Sequence, residues 1–199
     1  MSRRDTKELI LEAALAAFTG LGYEAATIAD IRAAAGVSNG SVFHHFGSKE
    51  GIAEALYIDG IRRYQQGLLK VLARHQADAA GGIRAVVRYH LDWVERHRDL
   101  ARFLFDVGRP DWHGARSAEL RAVNEAFAAA VAQWLQPHVA AGRVKPLAGE
   151  VFTACVIGPA QLVARGWIAG LRKARPTGFA QALADAAWDA VGRRRGEGS

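Results

Sequence analysis

Apolar residues recur at intervals of three and four along almost the whole chain, and runs of β-branched residues are absent. That spacing gathers apolar side chains on one stripe of a helix, whereas a strand needs alternation with period two. Alanine fills the pattern, and glycine and proline interrupt it. The reading is an all-α fold of about nine helices, near residues 3–19, 28–35, 39–45, 49–73, 82–97, 99–107, 117–141, 149–170 and 177–194. In the first helix, Ile10, Ala13, Ala14, Ala17, Phe18 and Leu21 form the stripe expected to be buried. Thr27 and Ser48 stand where their hydroxyls can accept from free N–H groups of a following first turn, and Ser38 or Asn39 opens the helix between them. Polar, glycine and proline breaks fall at 78–82, 108–114, 142–146 and 175–178. Pro137 and Pro159 lie within helical patterns and are expected to kink a helix or mark a boundary.

One cysteine, Cys155, excludes an internal disulfide framework and reads as a small core residue in a reducing compartment. The N-terminus has no apolar signal core, and no uninterrupted apolar run reaches the about 18 residues of a membrane span. A soluble cytoplasmic protein is expected. The net charge of +6 makes a polyanionic partner plausible. Its distribution does not locate one: residues 1–51 hold five Lys/Arg and six Asp/Glu, so the surplus lies beyond them.

Location comes from residues 27–50, TIADIRAAAGVSNGSVFHHFGSKE. Two short helices are joined by Gly36-Val37-Ser38, with glycine where a sharp turn calls for positive φ. Ile28, Ile31, Ala35, Val37, Val42 and Phe46 can lock the pair against the first helix. The other face of the third helix carries Asn39, Gly40, Ser41, Phe43 and His44, small polar and aromatic groups able to approach bases and phosphates. The arrangement is a helix-turn-helix with a recognition helix suited to the major groove.

The segment resembles the DNA-binding domain of the TetR/AcrR family of regulators. Thr27, Ile28, Ile31, Ala35, Gly36, Val37, Ser38, Gly40, Ser41, Val42, His45, Phe46, Ser48, Lys49 and Glu50 match its motif. The resemblance spans about residues 5–55. It implies an N-terminal three-helix DNA-binding domain (residues 1–50) and a helical effector-binding and dimerisation domain (51–199). It also implies phosphate contacts by Ser38, Ser41, His45 and Lys49, base or sugar contacts by Asn39, Gly40, Phe43 and His44, and a cap with possible backbone contact from Thr27. Arg3 and Arg4 would form a basic arm. Three positions depart from the family pattern. Arg32 replaces a small residue, Phe43 replaces tyrosine and loses its hydroxyl, and Asn39 replaces lysine with an amide suited to adenine.

The C-terminal part offers aromatic candidates for a cavity between helices: Trp93, Phe103, Phe105, Trp112, Phe127, Trp134 and Trp167. Phe152 is a further aromatic of this group. Asp92, Glu95, Asp106 and Glu125 read as solvated helix residues, any of which would favour a cationic ligand if it faced the cavity. His90 and His97, two turns apart, read as solvent-facing or hydrogen-bonded, with ligand binding as the alternative. The last two helices resemble the family's dimer bundle, with stripes Val151, Ala154, Ile157, Leu162 and Phe179, Leu183, Ala187, Val191.

The function implied is a homodimeric repressor, released from a pseudo-palindromic double-stranded DNA operator by a small, largely apolar effector. The alternative is an activator or partner-dependent regulator without such an effector. No nucleophile–base spacing, phosphate loop or metal-ligand cluster suggests an enzyme, a cofactor or a metal site; adjacent His44 and His45 point in different directions.

Overall fold

The computed structural model describes residues 5–107 and 118–193, and nine α-helices follow one another in it. They are α1 (Thr6–Gly20), α2 (Ile28–Ala35), α3 (Asn39–Phe46), α4 (Lys49–Ala73), α5 (Ala79–Arg96), α6 (Arg98–Val107), α7 (Ala118–Ala140), α8 (Gly149–Ile168) and α9 (Ala180–Val191). A 3-10 turn at Pro176–Phe179 precedes α9, where one continuous helix was expected. Among the described residues no strand forms; a single antiparallel bridge pairs Val144 with Gly192.

Capping fixes most of the starts. Asp5 accepts from Lys7 N, Thr27 from Asp30 N, Ser38 from Ser41 N and Ser48 from Gly51 N, each satisfying one orphan amide of a first turn. Helix α5 begins earlier than its glycines suggested. Asp78 caps it through Gly81 N at 2.9 Å, so Gly81 and Gly82 sit inside its first turn. Pro137 and Pro159 lie within α7 and α8 and end neither.

The backbone divides into two compact units, one drawn from residues 1–62 and 99–123, the other from 63–98 and 124–199. In the first, α1, α2 and α3 pack pairwise. Ile10, Ala14, Ile31 and Val42 are completely buried. Phe18 stacks on Phe103 with ring centroids 5.7 Å apart and meets the Tyr23 ring at 5.2 Å. Leu21, expected in the buried stripe, is 57% exposed, because it follows the last turn of α1; Leu11 is buried instead.

In the second unit α5 packs against both α8 and α9. Ile83, Val87 and Leu91 of α5 share a core with Val156, Ala160, Ala184 and Val191. Arg84 donates to Asp185 at 2.7 Å and Arg88 to Gln181 at 2.7 Å, tying α5 to α9. The loop after α7 is joined to the end of α9 by Lys145 N donating to Val191 O, 2.8 Å, and Arg193 N to Arg143 O, 3.0 Å. Cys155 is half-buried against this core.

Helix α8 has two apolar faces. Phe152, Val156, Ala160, Ala164 and Ile168 recur every four residues and are buried. Val151, Ala154, Gly158 and Leu162 lie on the other side and are exposed, Leu162 by 68%. Two of the α9 residues expected on an interface, Ala187 and Val191, are instead intrachain core, because α9 turns that side toward α5. By length and composition α8 is also the one described helix apolar enough to cross a membrane.

Candidate functional site

The first candidate site is the outer surface of α3. Its position follows from the buried side of the same helix. Val42 is fully enclosed, and Ile31 of α2 beside it is too. Gly36, at φ +66°, adopts the left-handed conformation that closes the turn between α2 and α3, and its N–H bonds to Arg32 O and Ala33 O. A residue with a Cβ is strained there. Thr27 and Asp30 form a reciprocal cap on α2: Asp30 N donates to Thr27 Oγ1 at 3.2 Å, and Thr27 N to Asp30 Oδ2 at 2.9 Å. The Thr27 hydroxyl also donates to Asp30 Oδ2 at 2.6 Å, and these bonds hold the Asp30 carboxyl below its ordinary range.

With that frame closed, Asn39, Gly40, Phe43, His44 and His45 are exposed together, and Phe43 is 48% exposed. Bare aromatic surface of that extent is unusual on a short polar helix. Ser38 and Ser41 hydroxyls lie 3.1 Å apart at the helix start. Arg32 is exposed on α2. Lys49 is held differently. Its Nζ donates to Tyr23 O at 2.9 Å and Glu24 O at 3.2 Å and sits 4.6 Å from the centre of the Tyr23 ring. It clamps the segment after α1 to the start of α4, with one of its three N–H donors left over.

The second candidate site lies inside the other unit. A cavity of about 170 Å³ is walled by Tyr64, Leu68 and Leu72 of α4, Ile83 and Val86 of α5, Phe127, Val131 and Trp134 of α7, and Phe152, Thr153, Val156 and Ile157 of α8. No charged side chain stands in that wall. Gly82 lets it close: a Cβ there would lie 2.5 Å from the Trp134 ring. Trp134 Nε1 donates to His75 O at 3.2 Å, which fixes the indole. A groove between α7 and α8 shares Phe127, Val131, Phe152 and Thr153 with the cavity. Tyr64 Oη is 2.9 Å from His90 Nδ1, and His90 is 4% exposed. Burial pulls the His90 imidazole from 6.5 to about 4, with the Gln161 side chain opposing, and burial pushes the Tyr64 phenol up.

Residues 10–56 match the model of the bacterial regulatory proteins of the tetR family. The repressor AcnR of Corynebacterium glutamicum is 37% identical over 105 residues, covering 50% of this chain and 51% of AcnR. Among solved structures, a TetR-family regulator from Marinobacter aquaeolei superposes with a TM-score of 0.79 at 20% identity, covering 95% of this chain and 96% of that one. FadR from Bacillus halodurans, described as a fatty acid degradation regulator, gives 0.78 at 16% identity, covering 94% and 96%. Residues 10–56 thus carry the DNA-binding segment of the tetR family. The chain spans about half the length of the curated relatives it matches, and the structural likeness carries the family's fold through the remainder.

In this tetR-like segment α3 brings the expected reading residues Asn39, Gly40, Phe43 and His44 onto one exposed surface, with His45 and Ser38 beside them. Arg3, Arg4 and Trp112 lie outside the described residues. Of the aromatic candidates, Phe127, Trp134 and Phe152 stand in the cavity wall. Trp93 packs edge-on against Tyr64, 5.1 Å between centroids, behind that wall. Trp167 lies under the Arg98 guanidinium at 4.9 Å. Phe103 and Phe105 belong to the other unit, Phe103 in its core. Of the acidic candidates, Glu95 accepts from Thr177 N at 2.6 Å and Asp92 pairs with Arg96 at 2.9 Å; none lines the cavity.

Sequence reasoning missed Asp30, although a threonine followed three residues later by an acid signals a reciprocal cap. It also missed Tyr64 as a wall residue and its bond to His90. No linear signal marks that pair, since its members are 26 residues apart on different helices.

Proposed function

We propose that this chain is a cytoplasmic, homodimeric transcriptional repressor whose residues 1–50 bind a pseudo-palindromic operator and whose residues 51–199 bind a small, largely apolar effector. The observation that carries the reading is the α3 surface, where an amide, a backbone without a side chain, a bare aromatic ring and imidazoles share one side of a helix whose other side is locked. In the major groove the Asn39 amide can pair with adenine N6 and N7, and Phe43 can cover a thymine methyl. Gly40 lets the helix backbone come close. Ser38, Ser41, His45 and the remaining Lys49 donor would contact phosphates, which set register without reading sequence.

A second copy supplies the other half-site. The exposed Val151, Ala154 and Leu162 of α8, with Phe179 at the start of α9, form an apolar surface that a two-fold partner would bury with its own equivalent. AcnR is named a transcriptional repressor, which supports repression as the sense of regulation here. Effector and operator then oppose one another through a reciprocal coupling free energy.

The test is selection of duplexes from a random DNA library by the purified chain at about 0.15 M salt. Enrichment of an inverted repeat is expected, and Asn39→Ala is expected to relax preference at one base pair of each half-site. Enrichment of no sequence would remove the reading.

A further inference from the structure

The cavity wall has three polar groups among its apolar ones, and they are not equivalent. The Trp134 N–H is already given to His75 O. Thr153 is exposed, at the outer edge shared with the α7–α8 groove. Tyr64 lines the wall from α4, and among the described residues its phenol is bonded to His90 Nδ1 at 2.9 Å.

That pairing leaves hydrogen-bonding capacity whichever way the shared proton lies. If the phenol donates to Nδ1, its oxygen keeps lone pairs for a guest. If Nδ1–H donates to the phenol oxygen, the phenolic O–H is free to donate. A guest can therefore meet either an acceptor or a donor at the same atom, and the His90 tautomer adjusts behind it. An ionised guest has no such match. The wall holds no Lys, Arg, Asp or Glu, and an unpaired charge in an apolar enclosure carries a heavy desolvation cost. Size narrows the class further. A dry cavity of about 150 Å³ accepts benzene, and this one is about 170 Å³.

We propose that the cavity selects an uncharged, single-ring-sized apolar molecule bearing one hydroxyl or carbonyl group, bound through the Tyr64 phenol with His90 as the phenol's hydrogen-bond partner. This rests on the reading of the cavity as the effector site. Tyr64 recognises the guest directly; His90 positions the phenol and sets its polarity. Tyr89, whose hydroxyl donates to Tyr64 O at 3.0 Å, holds the backbone of that turn.

Calorimetric titration of the full chain with 4-methylphenol, toluene and 4-methylbenzoate tests the assignment. The phenol is expected to bind up to about tenfold more tightly than toluene, the scale of one added hydrogen bond, and the benzoate not measurably. Tyr64→Phe should abolish the preference for the phenol while leaving toluene binding in place. Val156→Phe, which fills the cavity, should abolish binding of both. In the unmodified chain, the 15N resonances of His90 should shift with 4-methylphenol and not with toluene, a readout independent of any variant's folding. Equal affinity for phenol and toluene, an undiminished preference in Tyr64→Phe, unmoved His90 resonances, or benzoate binding as tightly as phenol would each overturn the proposal while leaving the cavity a ligand site. Binding of none of the probes would overturn both.

Discussion

Two residues carry more than their type suggests. Lys49 matches a motif position associated with phosphate, yet two of its donors are spent on Tyr23 O and Glu24 O. Charge-assisted bonds of this kind contribute about 1–3 kcal/mol. Lys49→Ala is therefore expected to lower unfolding free energy by about 1–2 kcal/mol, read from the urea midpoint. If its remaining donor meets a phosphate, the same variant also reduces the salt slope of operator binding by about one. An unchanged urea midpoint would contradict the clamp. His90 is the second. Its imidazole is held neutral by burial, from 6.5 to about 4. Between those values the unfolded chain carries a proton here and the folded chain does not. Stability is thus retained above pH 6.5 and lost as pH falls toward 4, by roughly 3 kcal/mol at 1.36 kcal/mol per pH unit. His138, fully buried with both ring nitrogens unpartnered, is shifted the same way by burial and by Arg143. Urea titrations across pH 7 to 4 should show the loss, and His90→Gln should flatten it. The motif alone revealed Lys49's place but not its partners, because Tyr23 and Glu24 come to it only when α1 and α4 are folded.

At the scale of elements, the helix-turn-helix depends on its turn and caps more than on helix propensity. Helices α2 and α3 have eight residues each, too short to persist alone. The left-handed Gly36 and the Thr27–Asp30 cap are what fix their relation to α1. Gly36→Ala is expected to cost about 1–2 kcal/mol, and Thr27→Ala about 1 kcal/mol, each measured by chemical unfolding; operator affinity should fall further for Gly36→Ala, since α3 would be misdirected. Nearly all of this was legible in the sequence, because caps and turns are local: Thr27, Ser38 and Ser48 cap where their positions predicted. The start of α5 was not. Gly81 and Gly82 read as a break, whereas an Asp78 cap tolerates them in a first turn and Gly82 is required by the Trp134 ring that lies against it. That reason exists only once α7 is in place.

For the whole molecule, the open question the fold raises is what covers the exposed side of α8. An apolar side with Leu162 68% exposed suits a second copy. Leu162→Arg is expected to convert a dimer in sedimentation to a species of about half the mass, and to weaken binding to a two-half-site operator far more than to a single half-site. A dimer unaffected by the change would place the interface elsewhere. The sequence by itself determined the helical class, the helix order and the residues that share the exposed side of α3, since these depend on periodicity, capping and a motif within 24 consecutive residues. It offered eight aromatics for the cavity, of which Phe127, Trp134 and Phe152 stand in its wall among aliphatic residues of four helices. Which side of α8 is core and which is bare, why Ala187 and Val191 point inward, and that Tyr64 meets His90 were decided by the tertiary structure. An apolar stripe states that a helix face avoids water. Only the packing of the other helices determines what it avoids water against.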